Sequence, residues 1–199
     1  MTHLTRRNLM ILTGAATMFG TALPATALSE DRAVQLVNAV VAEINRVIAS
    51  GKSQNAMIRD FERIFVRYAD VPIIARSALG QDSRRASPAQ LRAFTQAFQG
   101  YIARKYGKRF REFIGGTVEV TGVRRVSSYI EVRSRVTLRG SSPFDVRFHV
   151  SDRSGRDLFF DMLIEGVSLR ITERTEIGAM LDQNGGDFDR LISAVSRAG

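Results

Sequence analysis

The chain has no cysteine, no tryptophan and only two histidines among its 199 residues. Without cysteine there can be no disulfide, no thiolate metal ligand and no lipid-modified cysteine, so stability has to come from packing and the exported product is expected to be unanchored. Of the histidines, His3 precedes a leader-like segment, and His149 falls at an outward position among charged neighbours on a strand-like stretch. Imidazole chemistry therefore has almost no candidate. The sequence also lacks HExxH, a Gly-x-Ser-x-Gly elbow, clustered metal ligands and a glycine loop of the phosphate-cradling kind. Metallohydrolase, serine hydrolase and nucleotide-binding readings lose their footholds with them.

What is present begins with a leader. Arg6 and Arg7 precede a modest apolar stretch from Leu9 to Leu23, which ends in Pro24-Ala25-Thr26-Ala27. Residues 1–27 are read as a cleaved secretory signal, too short to span a bilayer, with cleavage before Leu28. The paired arginines point to the twin-arginine route, although Sec signals also carry such pairs. The remaining 172 residues suffice for one domain, 28–199, and leave no room for two large ones. The formal charge is +9, of which Arg6 and Arg7 supply two units, so +7 remains. An exported basic protein meets anionic membrane surfaces more often than nucleic acid, and no nucleic-acid partner is expected. Arg84-Arg85, Arg124-Arg125 and the group Lys105, Lys108, Arg109 and Arg111 are the candidate basic patches.

The first half has helical spacing. Ala33, Leu36, Val37, Val40, Val41, Ile44, Val47 and Ile48 form one stripe behind a Ser29 cap, and Met57, Ile58, Phe61, Ile64, Phe65 and Tyr68 form a second behind Ser53. A short third helix is expected over Val71 to Leu79. Ser87-Pro88-Ala89-Gln90 combines a hydroxyl cap, proline at the first helical position and a glutamine placed for a capping box. The long aromatic helix that follows is expected to run to Gly115-Gly116. After those glycines the period changes to two: Ile130, Val132, Val136 and Leu138, then Phe144, Val146, Phe148 and Val150, alternate with polar residues. This pattern predicts an antiparallel meander with one covered face. A fourth strand is expected from Leu158 through Leu169, bent at Gly166, before two short helices. Helices, then sheet, then helices gives α+β.

Asp161 and Glu165 share strand parity and would stand roughly 13 Å apart at about 3.3 Å per residue. That exceeds the reach of a cooperating acid and base pair. The simpler reading gives Asp161 hydrogen bonds or an arginine partner, and gives Glu165 backbone amides at the bend. The alternative is an enzyme on a small apolar substrate with Asp161 as its base. Of the twelve phenylalanines one lies in the leader, and the others concentrate in the helices that face the meander; large rings wall a cavity as readily as they fill a core.

The run Phe160-Asp161-Met162-Leu163-Ile164-Glu165-Gly166-Val167-Ser168-Leu169, then Glu176-Ile177-Gly178 and Leu181, resembles the C-terminal signature of the MlaC family, the toluene-tolerance auxiliary proteins. The resemblance extends through Leu79-Gly80, Ser87-Pro88-Ala89-Gln90-Leu91, Phe94, Phe98, Tyr101, Tyr106 and Phe113-Ile114-Gly115-Gly116. Two departures are Asp157 and the vicinity of Ser83, where family members often carry tryptophan. The resemblance implies a cone-shaped NTF2-like α+β fold, in which a four-stranded antiparallel sheet and helices enclose an apolar cavity. Helical parts 29–85 and 170–199 are expected to pack on the helix-plus-sheet part 87–169. It also implies a periplasmic, non-enzymatic, monomeric carrier without cofactor, whose cargo is phospholipid. Its partners would be the inner-membrane Mla ABC transporter complex and the outer-membrane lipoprotein-porin complex. With that role, the inward positions predict a tail cavity lined by Phe61, Phe65, Phe94, Phe98, Tyr101, Ile102, Ile130, Val132, Val146, Phe148, Ile164 and Val167. Arg84, Arg85, Lys105, Lys108 and Arg109 become the expected membrane or partner contacts.

Overall fold

The computed structural model describes residues 28–199; the leader read over residues 1–27 lies outside them. Each helix begins where a short polar side chain satisfies the first free N–H groups. Helix α1, Glu30–Ile48, starts at Ser29, whose hydroxyl accepts from Arg32 N. Helix α2, Gln54–Tyr68, starts at Ser53, and α3, Val71–Leu79, at Asp70. Helix α4, Pro88–Gly107, has the full capping box, with Ser87 and Gln90 each accepting from the other's backbone N–H.

Helix α4 stops sooner than its stripe suggested, and the chain continues as a 3-10 helix over Lys108–Phe113 before the turn at Gly115. At Gly107 an added Cβ would lie 3.0 Å from Ile58 Cγ1 and 3.3 Å from its Cα, so this close crossing of α2 and α4 needs glycine.

The sheet is a meander of five antiparallel strands in the order β1-β2-β3-β4-β5: Thr117–Val126, Tyr129–Thr137, Phe144–Ser151, Leu158–Ile164 and Val167–Ser168. The expected bent fourth strand is two strands. Glu165 and Gly166 both have positive φ, 49° and 84°, and reverse the chain so that Ile164 pairs with Val167. Asp161 then sets the next element. Its carboxylate accepts from the Ser168 hydroxyl at 2.8 Å and from Arg170 N at 3.2 Å, holding the start of α5, Leu169–Gln183. Gly185 and Gly186, both at positive φ, turn the chain into α6, Phe188–Arg197.

The helices and the sheet enclose one core in which Val37, Ile64, Phe98, Ile130, Val150 and Leu191 are buried. Helix α1 packs on β1, β2 and β3, α2 packs on α4, and α6 packs on the other side of α4. Among the ties between the helical layer and the sheet, Asp70 N donates to Phe159 O, and Arg32 pairs with Asp157 at 2.6 Å. Asp157 thus makes an ion pair where the resemblance calls for tryptophan, and the Ser83 hydroxyl donates to Gly80 O. The opposite sheet face is ionic. Glu131, at 3% exposure, accepts from Arg124, and the cross-strand rungs place His149 between Glu131 and Asp161. The Arg124 hydrogen bond holds the Glu131 carboxyl below the usual range, while burial keeps His149 below the ordinary imidazole value.

Candidate functional site

Between the helical layer and the inner sheet face lies a cavity of about 300 Å³. Such a volume stands at the small end of the roughly 300–1,000 Å³ usual for ligand pockets. One wall is α1, through Val40, Val41, Ile44 and Ile48. A second is α2 and α4, through Phe61, Phe65, Ile102 and Tyr106, and the floor is Val136, Phe144, Val146, Phe148, Phe159 and Met162. The polar lining residues Asn45, Arg109, Glu112 and Thr117 come from the end of α1, the 3-10 segment and the start of β1. They mark the mouth, at the sheet end where β1 and β3 begin and β2 and β4 finish.

Six expected residues meet at this cavity: Phe61, Phe65, Ile102, Val146, Phe148 and Ile164. The other six lie elsewhere, for identifiable reasons. Helix α4 is packed on two sides, so its aromatic stripe divides. Ile102 and Tyr106 look into the cavity, whereas Phe94, Phe98 and Tyr101 form a row of tilted rings, with centroids 5.7 and 6.0 Å apart, on the helix that also packs on α6. Ile130 and Val132 are on the inner face but at 0% exposure within the closed core, beyond the hollow part of the sheet. Val167 is 63% exposed on the β4–β5 hairpin. Those missed include the α1 wall, Tyr106, Val118, Val136, Phe144, Phe159 and Met162. The first was legible as a stripe, and Val136 and Phe144 share the parity of their chosen neighbours, but nothing in a stripe says which neighbour it faces.

Behind Tyr106 the cavity is backed by an ionic cluster. The Tyr106 hydroxyl donates to Glu173 Oε1 at 2.7 Å, and Lys105 Nζ reaches Glu173 Oε1 at 2.8 Å and Glu176 Oε2 at 2.6 Å. Glu173 is fully buried, with Oε2 lacking a hydrogen-bond partner. Burial first, and then the adjacent carboxylates, push both Tyr101 and Tyr106 far above the ordinary phenol value, so both stay neutral donors. For Glu176 burial works in the raising direction, but hydrogen bonds from Lys105 and Tyr101 outweigh it and hold the carboxyl low. Lys105, expected at the surface, is instead a strut between α4 and α5 with 24% side-chain exposure. The other expected contacts are exposed: Arg84, Arg85 paired with Asp82, Lys108 donating to Gly199 O, and Arg109 paired with Glu112.

Two further features bear on chemistry. Asp161 is 4% exposed, is absent from the cavity lining, and has its oxygens engaged by Ser168, Met162 N and Arg170 N. A base needs a free lone pair beside its substrate, and Asp161 does not offer one to the cavity. Glu165 is exposed in its turn, where its N–H donates to Asp145 O. A second hollow of about 340 Å³ lies between α1 and α2, but its walls are charged groups that pair with one another, Asp60 with Lys52 and Arg63, and Glu43 with Arg67. Of these two hollows among the described residues, the first combines depth with an apolar wall. Among the described residues no helix is long and apolar enough to cross a membrane.

A family model described as MlaC protein matches residues 35–197 of the chain. The fold is also that of a solved structure, a phospholipid-binding protein from Ralstonia solanacearum in complex with a phospholipid, at a TM-score of 0.71. That likeness has 19% sequence identity and covers 82% of this chain and 94% of the other.

Proposed function

Because the chain belongs to the MlaC family, we propose that it is a periplasmic phospholipid carrier that holds acyl tails in the cavity between α1, α2, α4 and the sheet. The observation that carries this reading is the cavity itself, a deep apolar hollow with its polar residues gathered at one mouth. The shared fold with a phospholipid-bound protein supports it. The protein works as a monomer and moves lipid between the inner-membrane Mla ABC transporter complex and the outer-membrane lipoprotein-porin complex. Arg84, Arg85, Lys108 and Arg109 raise the rate of approach to those anionic surroundings, because exposed charges act mainly on association.

The mechanism needs no reacting group. Burying acyl chains gains about 0.8 kcal/mol per methylene relative to water. In a bilayer the tails are already buried, so exchange between membrane and cavity is nearly balanced. Loading and release then turn on small differences at each membrane complex, and selectivity follows tail volume more than headgroup contacts. Organic extraction and mass spectrometry of gently purified protein test the reading. Phospholipid in a fixed ratio to protein is expected, and a folded protein that neither carries nor takes up phospholipid would remove it.

A further inference from the structure

The cavity mouth is rimmed by large apolar side chains that the protein leaves uncovered. Ile164 lines the cavity and is still 36% exposed, its hairpin partner Val167 is 63% exposed, and Ile171 in the first turn of α5 is 65% exposed. Across the opening Ile114, at 54%, stands just before Gly116 and Thr117, which are mouth residues. Strands β1 and β5 are the two edges of the sheet, so the apolar side chains flank the mouth from both sides. Single exposed aliphatic residues are ordinary; a group placed around an opening is a contact surface. The tip of a tight hairpin needs glycine and polar residues for its turn, and nothing in that geometry calls for Ile164 and Val167 beside it.

Cations stand at the same end. Arg109 lines the mouth with Lys108 next to it, the Arg139 side chain lies against Gly115, and Arg147 is opposite Leu163, one residue from Ile164. The nearby acids are Glu112, paired with Arg109, Asp145, paired with Arg135, and the exposed Glu165 at the hairpin tip, so Lys108, Arg139 and Arg147 leave cations in excess. Exposed aliphatic side chains set among an excess of cations match the boundary between acyl chains and phosphates in an anionic bilayer.

We propose that this rim seats the cavity mouth directly on an anionic phospholipid surface, with Ile114, Ile164, Val167 and Ile171 entering the headgroup-acyl boundary and the surrounding arginines meeting phosphates. A tail then passes between bilayer and cavity without crossing water. The purpose of the contact rests on the carrier reading, but its test does not.

Because the chain has no tryptophan, Val167→Trp and Ile171→Trp each place a single indole reporter on the rim, and Ile73→Trp places one on the exposed part of α3. With vesicles of phosphatidylglycerol and phosphatidylethanolamine, both rim reporters are expected to shift their emission to the blue and to be quenched by brominated tails. The α3 reporter stays in water. The effect is weaker with phosphatidylcholine vesicles and at high salt. The paired change Val167→Asp with Ile171→Asp lowers vesicle partition about 100-fold, whereas Ile73→Asp leaves it unchanged. Rim reporters that remain in water with anionic vesicles overturn the proposal. So does a shift that depends on protein concentration in the absence of vesicles, which would make the rim a contact between copies of this chain. Phospholipid content measured on the same samples separates the two readings: a lipid-loaded protein with reporters in water loses this inference and keeps the carrier, and an empty protein with inserted reporters does the reverse.

Discussion

Val146→Asp is the perturbation that best separates a tail cavity from an ordinary core. Val146 lies on β3 at 6% exposure, between Ser134 of β2 and Ile164 of β4, and faces the cavity. A carboxylate there meets two environments. In the empty protein the cavity opens at a polar mouth, so water can follow the charge inward and the folding cost stays within about 1–2 kcal/mol. With acyl chains in place the water is expelled, and the cheapest state left is the protonated acid. Holding an acid of pKa about 3.9 protonated at pH 7 costs about 4 kcal/mol, so lipid retention falls about 1,000-fold. The sign with pH is fixed: the lipid-bound form carries the proton, so the defect is greatest at high pH, shrinks about tenfold per unit on acidification and vanishes near pH 4.

The assay is phospholipid content after equilibration with vesicles across that pH range, with a thermal melt of every sample. A variant that melts normally and keeps a full, pH-independent load at neutral pH would refute the reasoning, because tails could not then be packed against position 146.

The remaining predictions concern groups around the cavity. Phe98→Ala removes a ring at 0% exposure and is expected to cost about 3–5 kcal/mol in chemical denaturation while the lipid bound per folded molecule is unchanged; lipid loss without destabilisation would place Phe98 on the tails. Lys105→Met leaves fully buried Glu173 without its cation and is expected to cost about 3–5 kcal/mol, much of it recovered by adding Glu173→Gln. Equal stability of wild type and the single variant would make Lys105 mere surface. Asp161→Asn weakens the hold on α5 by about 1–3 kcal/mol and keeps the lipid load; a stable variant with its lipid handling abolished would return Asp161 to the chemistry. Burial holds the His149 pKa below 6.5, so its contribution to stability is complete above that value and is lost as pH falls through the lower folded value. His149→Gln is expected to flatten that part of the urea-midpoint profile, and an unchanged slope would refute the assignment.

The local signals were legible wherever a single residue type decides a backbone state. Ser29, Ser53 and Ser87 cap α1, α2 and α4, Gly185-Gly186 turns between α5 and α6, and the alternation along Ile130–Leu138 and Phe144–Val150 gives the inner face of β2 and β3. The hairpin at Glu165-Gly166 shows in the sequence only as a bend, because a two-residue strand has too few positions to show a period. The site was half legible. Parity tells which residues point inward, but an inward residue in a hollow and one in a packed core have the same pattern. Val146 and Val132 differ only in whether α1 and α2 stand away from the sheet or close upon it, and that spacing is a property of helix packing. Lys105 illustrates the converse: in sequence it belongs to a basic run, and only the return of α5 brings Glu173 and Glu176 to it.

The cavity also removes packing that other contacts between the elements have to replace. A closed, empty apolar void costs about 24 cal/mol per Å³, so about 300 Å³ represents an upper figure of about 7 kcal/mol of packing that the helices and sheet do not make. Domains of this size are stable by only about 5–15 kcal/mol. Helices held apart from a sheet by a hollow cannot depend on side-chain interdigitation across it, and other contacts must fix their positions. Such contacts join the elements here: Arg32 with Asp157 joins α1 to the β3–β4 loop, Asp161 binds the start of α5, Lys105 with Glu173 and Glu176 joins α4 to α5, and Arg104 donates to the carbonyls of Val195 and Ala198 at the end of α6. Directional bonds set distances in a way that apolar contact does not, so a frame of them can keep two apolar layers open without collapse. Asp161 and Glu173, the buried acids that look most like reacting groups, are thus occupied in joining elements: Asp161 holds the start of α5 on β4, and Glu173 ties α5 to α4.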